Sequence, residues 1–390
     1  MERESVMTSL HDIYSQRITI LIISLFLILC TLLGTLFAQS SSQLIHAYYF
    51  KSLPSTYKAQ ELLFASLKDS GANTIILELP MNEQGVPDLG RIPDAVYLAH
   101  QAGFKLHIVL PTRQFPGILS KHRDWEDAQY ALGSGTVQAT GKLDLFNQAA
   151  VEYVASLAKE IASYSVDALL LGTDFIYSPV EGIGPSAREQ TLIDLKWAPD
   201  PRLLFRKVVR GPDGPIIEEY GEYYRRWTEL KRDRLLNVFA HIRKASRTVN
   251  AGIKFGIPIP VVIPVTTEDQ IFTRFAYDMN AFRKIDCDYF WTAIDYRDIK
   301  SRQNLTYRQT MEQLSRIATS AIKAAKVPSK VILTLQATSE TGTLIPMFEM
   351  EEITGLIRSS GDTGIAYIIG PDTIVNRTLM KKMFKNQTQP

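Results

Sequence analysis

The stretch VDALLLGTDFIYSPVEG, Val166 to Gly182, begins as an unbroken apolar run and then turns polar, with Asp174 and Glu181 placed where the run gives out. A continuous Leu-rich run, rather than an alternating one, predicts a strand covered on both faces, and such strands belong to parallel sheets. Working outward, the same signature recurs from end to end of the chain beyond residue 43. The runs are LIHAYYF (44–50), NTIILELP (73–80), FKLHIVLP (104–111), DALLLGTDF (167–175), IKFGIPIP (253–260), CDYFWTAID (287–295), KVILTLQA (330–337) and GIAYIIG (364–370).

Helical spacing fills the intervals. Leu62, Leu63, Ser66 and Leu67 precede Gly71; Val151, Val154, Ala158 and Ile161 share a face; so do Leu235, Val238, Phe239 and Ile242. Repeated strand-then-helix units in a span of this length predict an α/β fold, a (β/α)8 TIM-type barrel, in preference to an open doubly wound sheet. No Gly-rich phosphate loop opens any of the helices, so dinucleotide binding is unsupported and no cofactor is expected. The longest connections, 112–146 and 176–220, both follow strands and would stand over the C-terminal mouth of a barrel.

At 390 residues and 45% apolar composition the chain can bury a large core. Its formal charge of +2 comes from 43 basic and 41 acidic residues mixed along the sequence, which argues against nucleic acid as a partner. Cys30 and Cys287 are the only cysteines, and no Cys/His cluster has metal-ligand spacing, so neither a disulfide framework nor a structural zinc site is expected.

The run Ile18 to Phe37, ITILIISLFLILCTLLGTLF, carries no charge and has the length of a membrane-spanning helix. Two readings compete: a retained single-pass anchor, or a secretory signal cut after Ala38, for which Leu36 is a poor residue. The anchor is preferred. The expected organisation is a cytoplasmic segment over 1–17, the anchor or signal over 18–38, a tether over 39–43, the barrel over 44–380 and a tail over 381–390. The bulk is expected in the periplasm or outside the cell, held by a membrane contact through Ile18 to Phe37 or secreted after cleavage.

The period of two places Leu170, Gly172 and Asp174 on one strand face, with Asp174 at the mouth and Glu181 in the loop above it. Glycoside cleavage commonly uses a carboxylic acid to protonate the leaving oxygen and a second carboxylate nearby. Asp174 is the expected general acid, with Glu181 or Asp295 as the second group. The plainer reading is that Asp174 caps a turn and Glu181 is solvated. Tyr48, Glu78, Tyr296, Asp298, Gln336 and Asp372 lie at or beside strand ends and are the expected substrate contacts. His46 and His107, within strands, are expected to be satisfied core residues. No G-x-S-x-G nucleophile signal is present.

The order FNQAAVEYVASLAKEIASYSVDALLLGTDFIYSPVEG, YYRRWTELKRDRLLNVFAHIRKA, GIKFGIPIP, CDYFWTAID, VILTLQA and GIAYIIGPD resembles the C-terminal barrel of the bacterial poly-β-1,6-N-acetylglucosamine deacetylases. The resemblance runs from about residue 44 to residue 380. Its anchors are Trp227, Lys231 and Leu235, the WTAI of 291–294, the LQA of 335–337, and Pro371-Asp372. It implies a periplasmic, biofilm-associated, glycoside-hydrolase-like (β/α)8 barrel without the metal-dependent deacetylase domain. Where that family reads His-Asp-Asp-Ala after the fourth strand, this chain has Gly172-Thr173-Asp174-Phe175, and of a later Glu-Asp pair only Glu181 is kept. Tyr48 and Phe50 stand where the family has aspartates on the first strand, whereas Asp295 and Asp298 appear where it is neutral. The expected function is action on an exopolysaccharide containing amino sugars. The alternative is a non-catalytic polysaccharide-binding or scaffold subunit working with exopolysaccharide synthesis and export proteins.

Overall fold

The computed structural model describes residues 44–211, 214–260, 268–285, 287–294, 299, 304–337, 345–370 and 384. The chain divides into two units, Met1–Gln43 and Leu44–Pro390, and every described residue belongs to the second. The apolar run Ile18 to Phe37 lies outside the described residues, among which no helix is long and apolar enough to cross a membrane.

Among the described residues twelve strands follow in chain order: β1 (His46–Phe50), β2 (Thr74–Glu78), β3 (Lys105–Leu110), β4 (Glu126–Ala131), β5 (Thr136–Leu143), β6 (Ala168–Leu171), β7 (Phe205–Gly211), β8 (Gly214–Tyr220), β9 (Lys254–Pro258), β10 (Tyr289–Ile294), β11 (Val331–Gln336) and β12 (Gly364–Ile368). The eight runs expected as buried strands form one closed parallel barrel in the order β1-β2-β3-β6-β9-β10-β11-β12. Closure is made by His46 to Tyr49 of β1 pairing with Ile365 to Ile368 of β12.

Alternation along each strand divides two apolar layers. Ala47, Tyr49, Ile76, Val109, Leu170, Trp291, Ile332 and Ala366 fill the barrel. Their neighbours Tyr48, Phe50, Ile75, Leu77, Leu169, Phe290 and Leu333 face the surrounding helices. Both faces are dry, and this is why the runs are continuous rather than alternating.

The crossover helices start where the sequence caps them. Thr56 accepts from Ala59 N ahead of α1 (Tyr57–Leu67), and Asn147 accepts from Ala150 N ahead of α2 (Gln148–Ser163). In α1 the buried face is Gln60, Leu63, Phe64 and Leu67, so Leu62 turns to solvent. The 24-residue α3 (Tyr224–Arg247) buries Trp227, Lys231, Leu235, Val238, Phe239 and Ile242 at helical spacing and packs along α2.

The two long connections are not irregular. Each folds into an antiparallel hairpin, β4-β5 and β7-β8. The second is signalled by the turn sequence GPDG at 211–214. A helix over Pro185–Leu195 lies between the hairpins in sequence.

Candidate functional site

At the C-terminal ends of the strands the inner wall carries Tyr49, Glu78, Trp291, Thr334 and Gln336. The Tyr49 hydroxyl donates to Glu78 Oε1 at 2.8 Å. Partial burial raises the Glu78 carboxyl above its ordinary pKa, while the Tyr49 hydrogen bond and the charge of Lys51 pull against that shift. Beneath this pair the barrel axis is shut: the Trp291 indole lies 6.4 Å from the Tyr49 ring and donates from Nε1 to Leu171 O at 2.9 Å. Gln336 is buried at the mouth and its Oε1 has no hydrogen-bond partner. A cavity of about 290 Å³ opens beside β1 and β2, lined by Lys51, Gln60, Glu78, Pro80, Met81 and Arg91 among others.

Asp174 stands at the rim, where β6 ends and Phe175 N turns back to donate to Gly172 O at 3.0 Å. Its Oδ2 accepts three successive backbone N–H groups from the loop after β3: Thr112 at 2.9 Å, Arg113 at 2.5 Å and Gln114 at 2.9 Å. The other oxygen, Oδ1, rests over Gly172, where a Cβ would come within 2.5 Å of it. The contact explains why this position is glycine. An oxygen holding three donors cannot also carry a proton toward a substrate, so Oδ1 is the atom of Asp174 left for chemistry.

Glu181 is not in the mouth and is not solvated. Arg113 Nη1 donates to Glu181 Oε2 at 2.7 Å and Lys142 Nζ to Oε1 at 2.7 Å, with Glu181 4% exposed. Burial opposes its charge, but Arg113 and Lys142 outweigh that and hold the carboxyl down at about 2. The expectation that Glu181 supplies the second carboxylate of a cleavage pair is therefore corrected. Both of its oxygens are engaged by cations in a loop brace.

Tyr48 is corrected too. It faces outward, fully buried, with its ring edge-on to Phe384 at 5.5 Å, so it cannot contact a ligand in the barrel. Its neighbour Tyr49 takes the inward position. Asp295, Tyr296, Asp298 and Asp372 lie outside the described residues.

The residue that sequence reasoning missed is Arg113. It is fully buried and binds five partners. Besides Glu181, it donates to Asp127 Oδ2 at 2.6 Å, Ile176 O at 2.6 Å and Leu143 O at 3.2 Å, and its guanidinium lies 4.5 Å over the Tyr177 ring. Asp127 in turn accepts from Gly182 N and Gly184 N. The only sequence signal was a lone Arg immediately after a strand, which most often means a solvated loop.

Lys231, an anchor of the sequence resemblance, completes the brace. It is buried over the Trp227 ring at 3.5 Å and donates to Glu181 O at 3.2 Å, and desolvation brings its ammonium down to about 7. Asp144, buried close to Asp127, is pushed up to about 7 by desolvation and by that neighbouring carboxylate. Among the described residues no group of His, Cys, Asp and Glu is placed to hold a metal ion.

With the barrel and its mouth defined, the chain can be compared with known proteins. It is similar in fold to the PgaB (BpsB) glycoside hydrolase domain of Bordetella bronchiseptica. That similarity has a TM-score of 0.65 at 14% identity, covering 87% of this chain and 99% of the other. A β-galactosidase from G. stearothermophilus gives 0.62 at 11% identity over 89% of this chain and 57% of that one. The catalytic domain of a β-amylase from Paenibacillus polymyxa gives 0.57 at 13% identity over 89% and 99%. No family model and no curated protein matches the sequence. At such identities the likeness is one of fold. The resemblance drawn from the sequence holds at that level, since the PgaB domain shares the whole barrel.

Proposed function

We propose that this barrel acts on an exopolysaccharide, with a glycan strand lying across the C-terminal mouth and Glu78 protonating the glycosidic oxygen. The observation that carries the reading is the Tyr49–Glu78 pair: an inward carboxyl at the rim of the barrel, hydrogen-bonded by Tyr49 and with its pKa raised by burial. Asp174 Oδ1, at the rim of the same barrel, is the candidate second carboxylate, and Asp295, next in sequence after β10, is the alternative. Gln336, 8% exposed at the end of β11, is a candidate sugar contact. An amino sugar, cationic where not acetylated, suits a mouth that carries Glu78 on its inner wall and Asp174 at its rim. The charge-free run Ile18 to Phe37 supports a protein tethered to a membrane, with the barrel on its outer side.

A second reading is a barrel that holds the polysaccharide for a synthesis and export complex without cutting it. Glu181 favours this reading, because the brace withdraws from the mouth one of the carboxylates a cleavage pair needs.

The deciding experiment incubates the purified full-length chain with a panel of bacterial exopolysaccharides, poly-N-acetylglucosamine and its partly deacetylated form included. Binding and reducing-end release are measured together. Release that disappears in Glu78→Gln supports the hydrolase; saturable binding with no release in any condition supports the scaffold; neither binding nor release overturns both.

A further inference from the structure

The closed end of the barrel holds a second feature, remote from the mouth. His107 of β3, Ala168 of β6 and Lys254 of β9 lie in one row of the sheet, and one step up Gly256 lies beside Tyr289 of β10. At this end of the strands a cavity of about 410 Å³ opens, lined by Lys105, His107, Asp167, Asn250, Lys254 and Tyr289 among others. That volume is within the range of small-molecule sites.

His107 is 1% exposed, and neither ring nitrogen has a hydrogen-bond partner. Here the expectation of a satisfied core histidine fails, since buried polar groups are nearly always paired. Desolvation, helped by Lys105 and Lys254, brings the imidazole down to about 3, so near neutral pH the ring offers one N–H donor and one acceptor. It lies 5.5 Å from the Tyr289 ring, with the two planes tilted by 30°. Lys254 Nζ stands 5.6 Å above the centre of that tyrosine. The one acid of the lining, Asp167, already receives His100 Nε2 at 2.9 Å and Leu106 N at 2.8 Å on its Oδ2. Two ammonium groups therefore face a cavity with one carboxylate in its lining, which leaves an excess of positive charge.

We propose that this lower cavity binds a small phosphorylated molecule, with its phosphate between Lys105 and Lys254 and its uncharged part against His107 and Tyr289. A phosphate monoester carries close to two negative charges near neutral pH, matching two lysines, which bind phosphate as point charges. The site is independent of the reading of the mouth.

The test is isothermal titration of the full-length chain with glucose 6-phosphate and, separately, inorganic phosphate, against chloride at matched ionic strength. Saturable one-to-one binding of the sugar phosphate is expected. The double substitution Lys105→Gln with Lys254→Gln should weaken it by at least roughly tenfold, about 1.4 kcal/mol, with an unchanged thermal midpoint because both side chains sit at the rim. Binding of inorganic phosphate alone, equal in strength, overturns the aromatic half of the proposal. Heats that do not saturate, or that survive the double substitution, overturn it entirely.

Discussion

The Arg113 guanidinium meets the Glu181 carboxylate at 2.7 Å with both side chains closed off from solvent, and this contact ties the loop after β3 to the loop after β6. A second arm of the same guanidinium reaches Asp127 at 2.6 Å. Removing the cation takes from buried Asp127 its salt-bridge partner and leaves Glu181 with Lys142 alone, so Arg113→Met should destabilise the barrel by about 3 to 5 kcal/mol in denaturant unfolding. Arg113→Lys should rescue little, since one ammonium cannot serve Asp127, Glu181, Leu143 O and Ile176 O together. A loss below about 1 kcal/mol in Arg113→Met would show that the brace is not needed.

Acid should act through the same contact. The Glu181 carboxyl sits at about 2 in the folded chain against an ordinary value of 4.5. A depressed folded pKa means that the unfolded chain takes up the proton first, so stability falls as pH drops. The contribution of Glu181 is fully present above about 4.5 and is lost between there and about 2. Glu181→Gln should be less stable at neutral pH and should show a shallower decline across that window. Parallel stability-against-pH curves for the two proteins would contradict the assignment.

The fold was legible because burial on two faces writes itself as unbroken runs such as DALLL and KVILTL, and each of the eight became a barrel strand. Asp174 was legible as a rim residue by the period of two along β6. Glu181 was not, because its position is set by Arg113, 68 residues away in sequence, and no local pattern encodes a contact of that range. Tyr48 and Tyr49 show a finer limit. Both look alike in an apolar run, and a single residue of register decides which enters the barrel and which meets Phe384. The hairpins β4-β5 and β7-β8 hid inside stretches whose exposed, polar strands resemble loops in composition.

Asp174 supports two separable expectations, one for each oxygen. Asp174→Ala removes the acceptor of three N–H groups and should cost about 1 to 3 kcal/mol, whereas Asp174→Asn keeps an acceptor oxygen and should cost less. If Oδ1 takes part in glycan cleavage, Asp174→Asn should still lower turnover by roughly a hundredfold or more. Turnover that follows stability across both variants would make Asp174 a loop staple and nothing else.

The last prediction concerns Glu78 and follows from its neighbours. Glu78→Gln should lower cleavage by roughly 10² to 10⁴-fold, the usual contribution of a positioned proton donor. A general acid works in its protonated form, so kcat/KM should fall as pH rises through the Glu78 pKa, and that limb should lie above the ordinary glutamate value because burial favours the neutral carboxyl. The Tyr49 hydroxyl donates to Glu78 and stabilises its ionised form, which pulls the pKa back. Tyr49→Phe should therefore push the limb to still higher pH while keeping the barrel folded, since the ring that packs toward Trp291 remains. A role confined to packing would change stability and leave the limb in place. A limb that moves to lower pH in Tyr49→Phe would mean that the hydroxyl favours the protonated carboxyl, and the proton would then have to come from another group at the mouth.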